Sequence, residues 1–370
     1  MLTIFGYSVF LVLLYFVVLL FILFNGFIPY AKKNRRDPLT TDLPKVSVLV
    51  AARNEEHTIR RCLEALNKLS YPKDKIEILI GNDESTDGTV KVVDDFIRNK
   101  KQFAFYNITV KLGKAKGKAN VLAHLAQIAT GEFLFVTDAD IAVPENWIQN
   151  MLPHFETGTA IVSATTYVEG NTLFEKMQSL DWIFFNGILN SFANANVPCT
   201  AVGNNMAVRR DAYIALGGYE NIDFSITEDF KLFDALRKAG YGWKNILNAA
   251  TLNVSLPVKD FSTLMQQRRR WITGAMELPW YWKITFIIFG FFSPALLAIL
   301  AFAPQIGLLL WFTRVFLEGL FVSITAARIG RTENLGSYLW YQLYALVMPF
   351  FYLYNFLKRD PNEWKGRMYS

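Results

Sequence analysis

Charged residues are missing from long stretches of this sequence. Residues 2–31 contain no Asp, Glu, Lys or Arg, and charged residues make up only 19% of the 370 positions, whereas hydrophobic residues make up 52%. About 20 consecutive apolar residues are enough to span a bilayer as a helix. This balance is too apolar for an ordinary soluble protein, and it predicts a membrane helix within residues 1–31.

The same segment lacks the marks of a cleaved signal peptide. It has no basic start, its apolar run is too long, and no pair of small residues forms a cleavage pattern before Lys32. We therefore predict that the helix is retained. A basic cluster follows at residues 32–36 and, by the positive-inside rule, places the next domain in the cytosol. The expected location is a bacterial inner or plasma membrane.

Cysteine is almost absent. Cys62 and Cys199 are the only two, they lie far apart, and they match no metal-ligand spacing, which excludes a disulfide framework and a structural zinc site. The formal net charge of +6 would suit a nucleic-acid-binding protein, but the basic residues cluster beside the apolar segments. That placement indicates anionic lipid headgroups, and we predict no nucleic-acid partner.

A second apolar region fills the C-terminal part of the chain. Residues 284–313 carry no charge and a last apolar run covers 338–357, so we predict two or three spans within 284–357. Four spans in total would leave the basic tail, residues 358–370, outside the cell, so one segment is expected to be re-entrant or to lie flat. Arg314 and Glu318, four residues apart, are predicted to form a buried ion pair.

Between the apolar regions, residues 44–256 have the pattern of an α/β domain. Short apolar segments at 46–50, 76–80 and 133–136 predict strands of a mostly parallel sheet, alternating with amphipathic helical segments. Polar residues directly follow the second and third strands. Ligands of open α/β sheets bind at the carboxyl ends of the strands, so the site is expected there.

Asp138 and Asp140 follow the third strand and are separated by one small residue. A turn at this point can direct both carboxylates at one Mg²⁺ or Mn²⁺ ion, which would bridge a diphosphate and neutralise its charge as it leaves. An isolated Asp-x-Asp is more often a turn cap. The motifs around it favour the metal site.

Two further motifs carry candidate chemistry. Glu228 and Asp229 either cap the helix that follows them or provide a general base that takes a proton from an acceptor hydroxyl. Residues 267–271 place three arginines and a tryptophan just before the second apolar region, within an interfacial segment predicted at 257–283. These arginines either extend to the membrane interface or bind diphosphate through their planar guanidinium groups.

Taken in chain order, these motifs resemble the processive and lipid-directed members of glycosyltransferase family 2, whose catalytic domain has the GT-A fold. The resemblance covers residues 46–271. It rests on Ala52-Arg-Asn-Glu55, Asn82-Asp-Glu-Ser-Thr-Asp87, Lys118-Ala-Asn120, Asp138-Ala-Asp140, Thr227-Glu-Asp229 and Gln267-x-x-Arg270-Trp271. It implies a Rossmann-like GT-A domain in the cytosol, flanked by N- and C-terminal transmembrane helices.

The resemblance also implies roles for individual residues. Asp229 is the expected catalytic base with Glu228 beside it, and Asp140 is the expected main metal ligand with Asp138 nearby. The residues expected to bind the donor are Ala52, Asn54, Glu55, Asp83, Lys118, Asp138, Gln267, Arg270 and Trp271. Those expected on the acceptor side are Gly203, Asn204 and Trp271. Where the family often has two adjacent acids after the second strand, this chain has Asn82 and Asp83.

The implied reaction is the inverting, metal-dependent transfer of a sugar from a nucleotide-sugar, with UDP as the expected nucleotide, to a membrane-associated acceptor. An amphipathic stretch at 171–194 either lies against the bilayer near that acceptor or belongs to the core. A lipid acceptor is slightly favoured. The alternatives are a processive polysaccharide synthase and a catalytically silent GT-A scaffold in the membrane, and homo-oligomerisation is left open.

Overall fold

The computed structural model describes residues 2–27, 43–358 and 362–369. The helices are α1 (Leu2–Phe27), α2 (Ile59–Asn67), α3 (Thr89–Ile97), α4 (Lys118–Ile128), α5 (Trp147–Met151), α6 (Leu173–Asn194), α7 (Arg210–Ala215), α8 (Gly218–Asn221), α9 (Glu228–Lys238), α10 (Phe261–Ala275), α11 (Trp280–Phe302), α12 (Pro304–Arg328) and α13 (Tyr338–Leu357). The strands are β1 (Val46–Ala52), β2 (Ile76–Asn82), β3 (Phe103–Asn107), β4 (Phe133–Asp138), β5 (Thr159–Ala164), β6 (Thr166–Val168), β7 (Met206–Arg209), β8 (Gly242–Ile246), β9 (Asn253–Ser255), β10 (Asn362–Trp364) and β11 (Arg367–Tyr369). The basic cluster at 32–36 lies outside the described residues.

The chain divides into two compact units. The sheet unit consists of Lys32–Tyr167 and Thr200–Leu256, and the helical unit consists of Met1–Ala31, Val168–Cys199 and Pro257–Ser370. The sequence predicts one continuous domain over 44–256, whereas the segment with α6 belongs to the helical unit. That difference has a packing cause, because most of α6 is buried among other helices of that unit.

The sheet unit is built on a seven-stranded sheet in the order β3-β2-β1-β4-β7-β5-β8. Strands β3, β2, β1 and β4 are parallel, whereas β7 runs antiparallel to both β4 and β5. The three predicted strands are confirmed as β1, β2 and β4, which are neighbours. In register, Ala52 lies opposite Asn82 and Ala51 lies opposite Asp138, so the polar segments after these strands begin at one edge of the sheet.

Both faces of this sheet are covered. Alternate residues of a strand point to opposite faces. On β1, Val48 packs in a core with Leu63 of α2, and Leu49 packs in a second core with Leu122 of α4 and Phe233 of α9. Strands buried on both sides read as continuous apolar runs, which is why β1, β2 and β4 can be recognised in the sequence.

Helix α6 is a buried element of the helical unit. Its first turn is closed by a capping box between Thr172 and Glu175. At Gly187 an added Cβ would lie 2.7 Å from Phe321 and from Thr325 of α12, so the two helices approach closely where a side chain is absent. Most of α6 therefore belongs to the core of the helical unit, whereas Leu173 and Phe185 of the same stretch are exposed.

Three helices among the described residues are long and apolar enough to cross a membrane, namely Thr3–Phe27, Trp280–Phe302 and Pro304–Arg328. The predicted ion pair is confirmed on the last of these, since Arg314 Nε lies 3.1 Å from Glu318 Oε1. Tyr15 of α1 and Gln342 of α13 also donate hydrogen bonds to Glu318. A charge pair with polar partners from other helices is the arrangement that low-dielectric surroundings require.

Helix α13 does not belong to that group of three, and it is tied to the charged helix α10. Arg269 donates to the backbone carbonyl of Asn355, and Asn355 Nδ2 donates to the carbonyl of Met265 at 2.7 Å. Phe261 packs edge-on against Phe351 at 5.3 Å between ring centroids. The C-terminal half of α13 therefore runs beside a helix rich in arginine and glutamine.

Candidate active site

The loops after β1 and β2 hold each other through their own polar groups. Asn54, whose φ is 51°, donates its backbone N–H to Ser85 Oγ at 3.0 Å, and its Oδ1 accepts from the Thr86 N–H at 2.9 Å. The Asp83 N–H donates to the Ala52 carbonyl at 2.8 Å. Three residues predicted to bind the donor, namely Ala52, Asn54 and Asp83, are thus brought together.

Glu55 and Asn82, which lie in the same two segments, also form hydrogen bonds with neighbouring polar residues. Glu55 donates its N–H to Thr89 Oγ1 at 2.7 Å. Asn82 donates through Nδ2 to Asn107 Oδ1 at 2.9 Å and accepts the Ser85 N–H on Oδ1 at 3.1 Å. A carboxylate cannot donate, so an acid at position 82 would bond to Asn107 only as an acceptor, after the Asn107 amide had turned to present its Nδ2. The amide that departs from the family pattern therefore builds the turn, and Asp83 remains as the buried acid beside it.

Lys118 is the centre of the charged cluster. It is the first residue of α4, and its Nζ lies 2.5 Å from Asp138 Oδ1 and 2.8 Å from Glu228 Oε1. Burial disfavours the charged ammonium, but the attraction of the two carboxylates outweighs that effect and raises the pKa of Lys118. The amine stays protonated and joins the Asp-x-Asp segment to the first turn of α9.

Asp229 lies next to this cluster and has its own fixed orientation. Its Oδ2 accepts the Gly203 N–H at 2.9 Å, and its Oδ1 accepts the Phe230 N–H at 2.8 Å. Burial raises the pKa of Asp229 to about 7, and the negative charge of Glu228 acts in the same direction. Lys118 and the two N–H donors oppose this shift. Asp229 is therefore poised to exchange a proton near neutral pH.

Residues 203–205 form the loop that carries the predicted acceptor-side residues. Asn204 accepts on its side-chain oxygen from Thr166 Oγ1 at 2.7 Å. Asn205 is fully buried and accepts from Trp147 Nε1 at 2.9 Å while donating to two backbone carbonyls. Asn205 stands in the segment Gly203-Asn-Asn205 that the resemblance assigns to the acceptor side, whereas no recognised motif in the sequence contains Trp147, and the two residues together fix the loop whose Gly203 contacts Asp229.

The Asp-x-Asp segment has the donor set of a shared cation site. Asp138 and Asp140 are half-buried at the end of β4, with Ala139 buried between them. Among the residues that the structure describes, no group of three His, Cys, Asp or Glu side chains could hold a metal by itself. Hard divalent ions are often held by one or two carboxylates together with substrate phosphates, and two carboxylates fit that pattern. The Lys118 ammonium shows that positive charge is accommodated against Asp138.

The remaining predicted residues, Gln267, Arg270 and Trp271, lie on α10 in the helical unit. They belong to a different unit from Asp138 and Asp229. The expectation that Arg268 and Arg269 extend to the membrane interface is wrong, because both are buried. Arg268 pairs with Asp181 at 2.7 Å, and Arg269 donates to a backbone carbonyl of α13.

A solved structure has the same fold. The mannosyltransferase PcManGT from Pyrobaculum calidifontis, in complex with GDP-Man and Mn²⁺, aligns with a TM-score of 0.60 at 17% identity, over 92% of this chain and 99% of that one. With the mixed sheet and the acidic site at its edge, this likeness defines the sheet unit as a GT-A domain.

Family models identify the chain further. The model described as Glycosyl transferase family 2 matches residues 47–217, and the one described as Glycosyl transferase family group 2 matches residues 133–357. The second match covers more than half of the chain. The protein therefore belongs to glycosyl transferase family 2.

Curated relatives include three bacterial proteins. The probable glycosyltransferase YdaM of Bacillus subtilis is 29% identical over 69% of this chain and 62% of its own length. The beta-monoglucosyldiacylglycerol synthase of Synechocystis is 26% identical over 74% and 59%. The poly-beta-1,6-N-acetyl-D-glucosamine synthase of Staphylococcus epidermidis is 25% identical over 63% and 55%. The matched part thus spans less than two thirds of each of these relatives.

Gly203→Ala tests the contact between this loop and Asp229. A Cβ at position 203 would lie 2.7 Å from Asp229 Oδ2, so the carboxylate must move. We expect glycosyltransferase activity to fall by about 10- to 100-fold, as misplaced reacting groups typically cause. The thermal unfolding temperature should change little. Gly290→Ala is the matched control, because an added Cβ there meets nothing within 4 Å. Equal activities of the two variants would contradict the role of the loop.

Proposed function

We propose that the protein transfers a sugar from a nucleotide-sugar to a hydroxyl group of a membrane-associated acceptor, with inversion at the anomeric carbon. The observation that carries this proposal is the cluster of Lys118, Asp138, Glu228 and Asp229 at the carboxyl edge of a GT-A sheet. Lys118 neutralises Asp138 and Glu228, whereas Asp229 touches only backbone donors in the bonds described above. Asp229 is thus the carboxylate left to accept a proton.

Asp229 acts in this proposal as the general base. Both of its oxygens are oriented by N–H groups, and a base is most effective when its pKa lies near the working pH. It removes the proton of the acceptor hydroxyl while that oxygen attacks the anomeric carbon from the side opposite the leaving group. A single proposed base, with Asp138 and Asp140 assigned to the metal, favours inversion, because retention through a covalent intermediate requires an additional nucleophile.

The donor is proposed to be a UDP-sugar bound along the loops after β1, β2 and β4. Asp83 is proposed to contact the nucleotide base, and Asp138 and Asp140 are proposed to hold Mg²⁺ or Mn²⁺ together with the diphosphate. When bound, such an ion neutralises negative charge on the departing nucleoside diphosphate. Lys118 contributes a second, permanent positive charge next to Asp138.

The acceptor is proposed to be a lipid, with a growing polysaccharide as the second candidate. Two curated relatives are named for these two product classes, a glucosyldiacylglycerol and a poly-N-acetylglucosamine. Three candidate spans among the described residues provide little material for a closed channel in one copy. Most of α6 is buried, so this preference rests on the number of spans and not on a bilayer-facing α6.

The membrane arrangement is proposed to have three spans, with α13 as a re-entrant segment whose C-terminal half lies at the cytosolic interface. If the sheet unit is cytosolic, α11 leads outward and α12 leads back. The contacts of Asn355 with the arginine-bearing helix α10 support a position of this C-terminal half outside the hydrocarbon layer, whereas Gln342 in the N-terminal half bonds to Glu318 within the span α12. The tail with Lys365 and Arg367 then lies in the cytosol, which removes the charge conflict of a four-span arrangement.

Asp229→Asn and Asp140→Asn separate the two proposed roles. Asp229→Asn should abolish transfer while donor binding stays within about twofold, since it removes the base without changing the acidic pair at β4. Asp140→Asn should instead weaken metal-dependent donor binding. Isothermal titration with UDP-sugar and Mn²⁺ and single-turnover rates measure both effects. Asp95→Asn, on an exposed residue of α3, is the matched control. Normal turnover by Asp229→Asn would exclude it as the base.

The same assignment fixes a pH dependence. Asp229 must be ionised to accept a proton, and its pKa is raised to about 7, so it becomes protonated and inactive as pH falls below that value. In the wild type, kcat/KM should therefore drop about tenfold per pH unit below pH 7. A rate that stays level down to pH 5 would contradict the assignment.

The acceptor class is tested in lipid nanodiscs with Mn²⁺ and radiolabelled UDP-sugars. Label extracted into the organic phase would establish a lipid product, and label in a large water-soluble polymer would establish processive synthesis. If every UDP-sugar tested remained intact, the enzymatic proposal would be refuted, and the catalytically silent scaffold would be the remaining interpretation. Asp229→Asn serves as the inactive control in the same nanodiscs.

Reporter fusions test the three-span arrangement in a bacterial host. Green fluorescent protein fused after Ser370 should fluoresce, and alkaline phosphatase fused there should be inactive, because both report a cytosolic end. Truncation after Phe302, at the end of α11, provides the opposite control, with active phosphatase and no fluorescence. An active phosphatase at Ser370 would show that α13 crosses the membrane.

A further inference from the structure

Helix α10 presents an arginine and a tryptophan on one face. Arg268 and Trp271 are three residues apart, which places their side chains next to each other on a helix. The guanidinium carbon of Arg268 lies 4.2 Å from the centre of the Trp271 ring. Arg268 is 5% exposed, whereas Trp271 is only half-buried. A buried cation thus covers part of a ring that solvent can still reach.

Two consecutive residues of helix α6, Asp181 and Trp182, contact Arg268 and Trp271 respectively. Asp181 Oδ2 accepts from Arg268 Nη2 at 2.7 Å. The Trp182 ring meets the Trp271 ring edge to face, with 5.4 Å between centroids and 83° between planes. Asp181 therefore fixes the guanidinium and Trp182 supports the indole, so the orientation of Trp271 is determined from two sides.

Helix α13 completes the surroundings of this cluster. The Tyr341 hydroxyl lies 3.5 Å from Asp181 Oδ1, and the hydroxyls of Tyr344 and Tyr352 lie 3.1 Å apart. Arg268 Nε is nevertheless buried without a hydrogen-bond partner among the described residues. A buried donor without a partner is costly. The guanidinium is held by Asp181, by Gln267 Oε1, which accepts from Nη1 at 3.3 Å, by Tyr352 and by the indole face, although its Nε has no partner among these residues.

Arginine is suited to this task in a way that lysine is not. Its planar guanidinium can stack on an indole while its edge binds a carboxylate, and cation–π contact is strongest over tryptophan and away from water. Arg268 occupies one of the two unspecified positions of the motif Gln267-x-x-Arg270-Trp271, so the motif itself does not predict it.

We propose that Asp181 and Arg268 are positioning residues that hold the Trp271 indole in the orientation required to receive the sugar acceptor. The inference rests on the proposed function, because it takes Trp271 as an acceptor contact. It goes beyond that function by assigning two residues on different helices to acceptor specificity. Substitution of either residue should lower kcat/KM for the acceptor, and the size of this effect should depend on Trp271.

Arg268→Lys tests the inference, because it keeps the charge and removes the planar stacking group. We expect kcat/KM for the acceptor to fall by about 10- to 100-fold while the donor KM changes by less than about twofold. Asp181→Asn should shift the same parameter in the same direction. Arg60→Lys, on an exposed arginine paired with Glu64, is the matched control and should behave as the wild type.

A double-mutant cycle distinguishes positioning from a general structural effect. In a Trp271→Phe background, whose ring still packs, Arg268→Lys should cost much less than it does in the wild type, because residues acting through one another are not additive. The same fold loss in both backgrounds would overturn the inference.

A spectroscopic measurement makes the test independent of activity. The protein is labelled with 5-fluorotryptophan, and the Trp271 signal is assigned by its absence in Trp271→Phe. Arg268→Lys and Asp181→Asn should shift or broaden this signal, whereas Arg60→Lys should not. If the wild type transfers no sugar but the signal shifts, the proposed function fails and the positioning contact stands. An unchanged signal would refute the positioning contact even in an active enzyme.

Discussion

The repulsion between acidic side chains at one edge of the sheet is the constraint on which the site depends. Asp138, Glu228 and Asp229 come from two segments far apart in sequence, and like charges at short range disfavour ionisation. Lys118 resolves this by bonding to one carboxylate from each segment. Its single charge compensates two acids, and the pKa of Asp229 remains raised, mainly because this carboxylate is buried and also because Glu228 lies beside it.

The loop at residues 203–205 can approach Asp229 closely because position 203 is a glycine and has no side chain. Gly203 brings its N–H to Asp229 at a distance that any Cβ would prevent. Asn205 holds the same loop by bonds to Trp147 and to the backbone of two other segments. The orientation of Asp229 therefore depends on this loop, which the buried Asn205 amide holds through hydrogen bonds in a low-dielectric interior.

Local patterns explain which parts of this structure could be predicted from the sequence. Strands β1 and β4 are continuous apolar runs, and Arg314 and Glu318 are neighbours by helical spacing alone. By contrast, the antiparallel course of β7, the assignment of α6 to the helical unit and the contact of Lys118 with Glu228 join residues distant in sequence. No periodicity records such contacts, so the site's residue types were predictable and its internal bonds were not.

Arg314 and Arg268 of the helical unit each contact a carboxylate and an aromatic ring, but the two rings differ in burial. Arg314 pairs with Glu318 and lies 4.7 Å from the centre of the Phe292 ring, which is 1% exposed. That arrangement can only stabilise packing, because nothing outside the protein reaches the ring. Arg268 has the same kind of carboxylate and aromatic partners, but its ring, Trp271, is accessible. Under the proposed function, an indole held in one orientation would restrict how a sugar stacks on it, so the kind of contact that stabilises packing at Arg314 would select a ligand at Arg268.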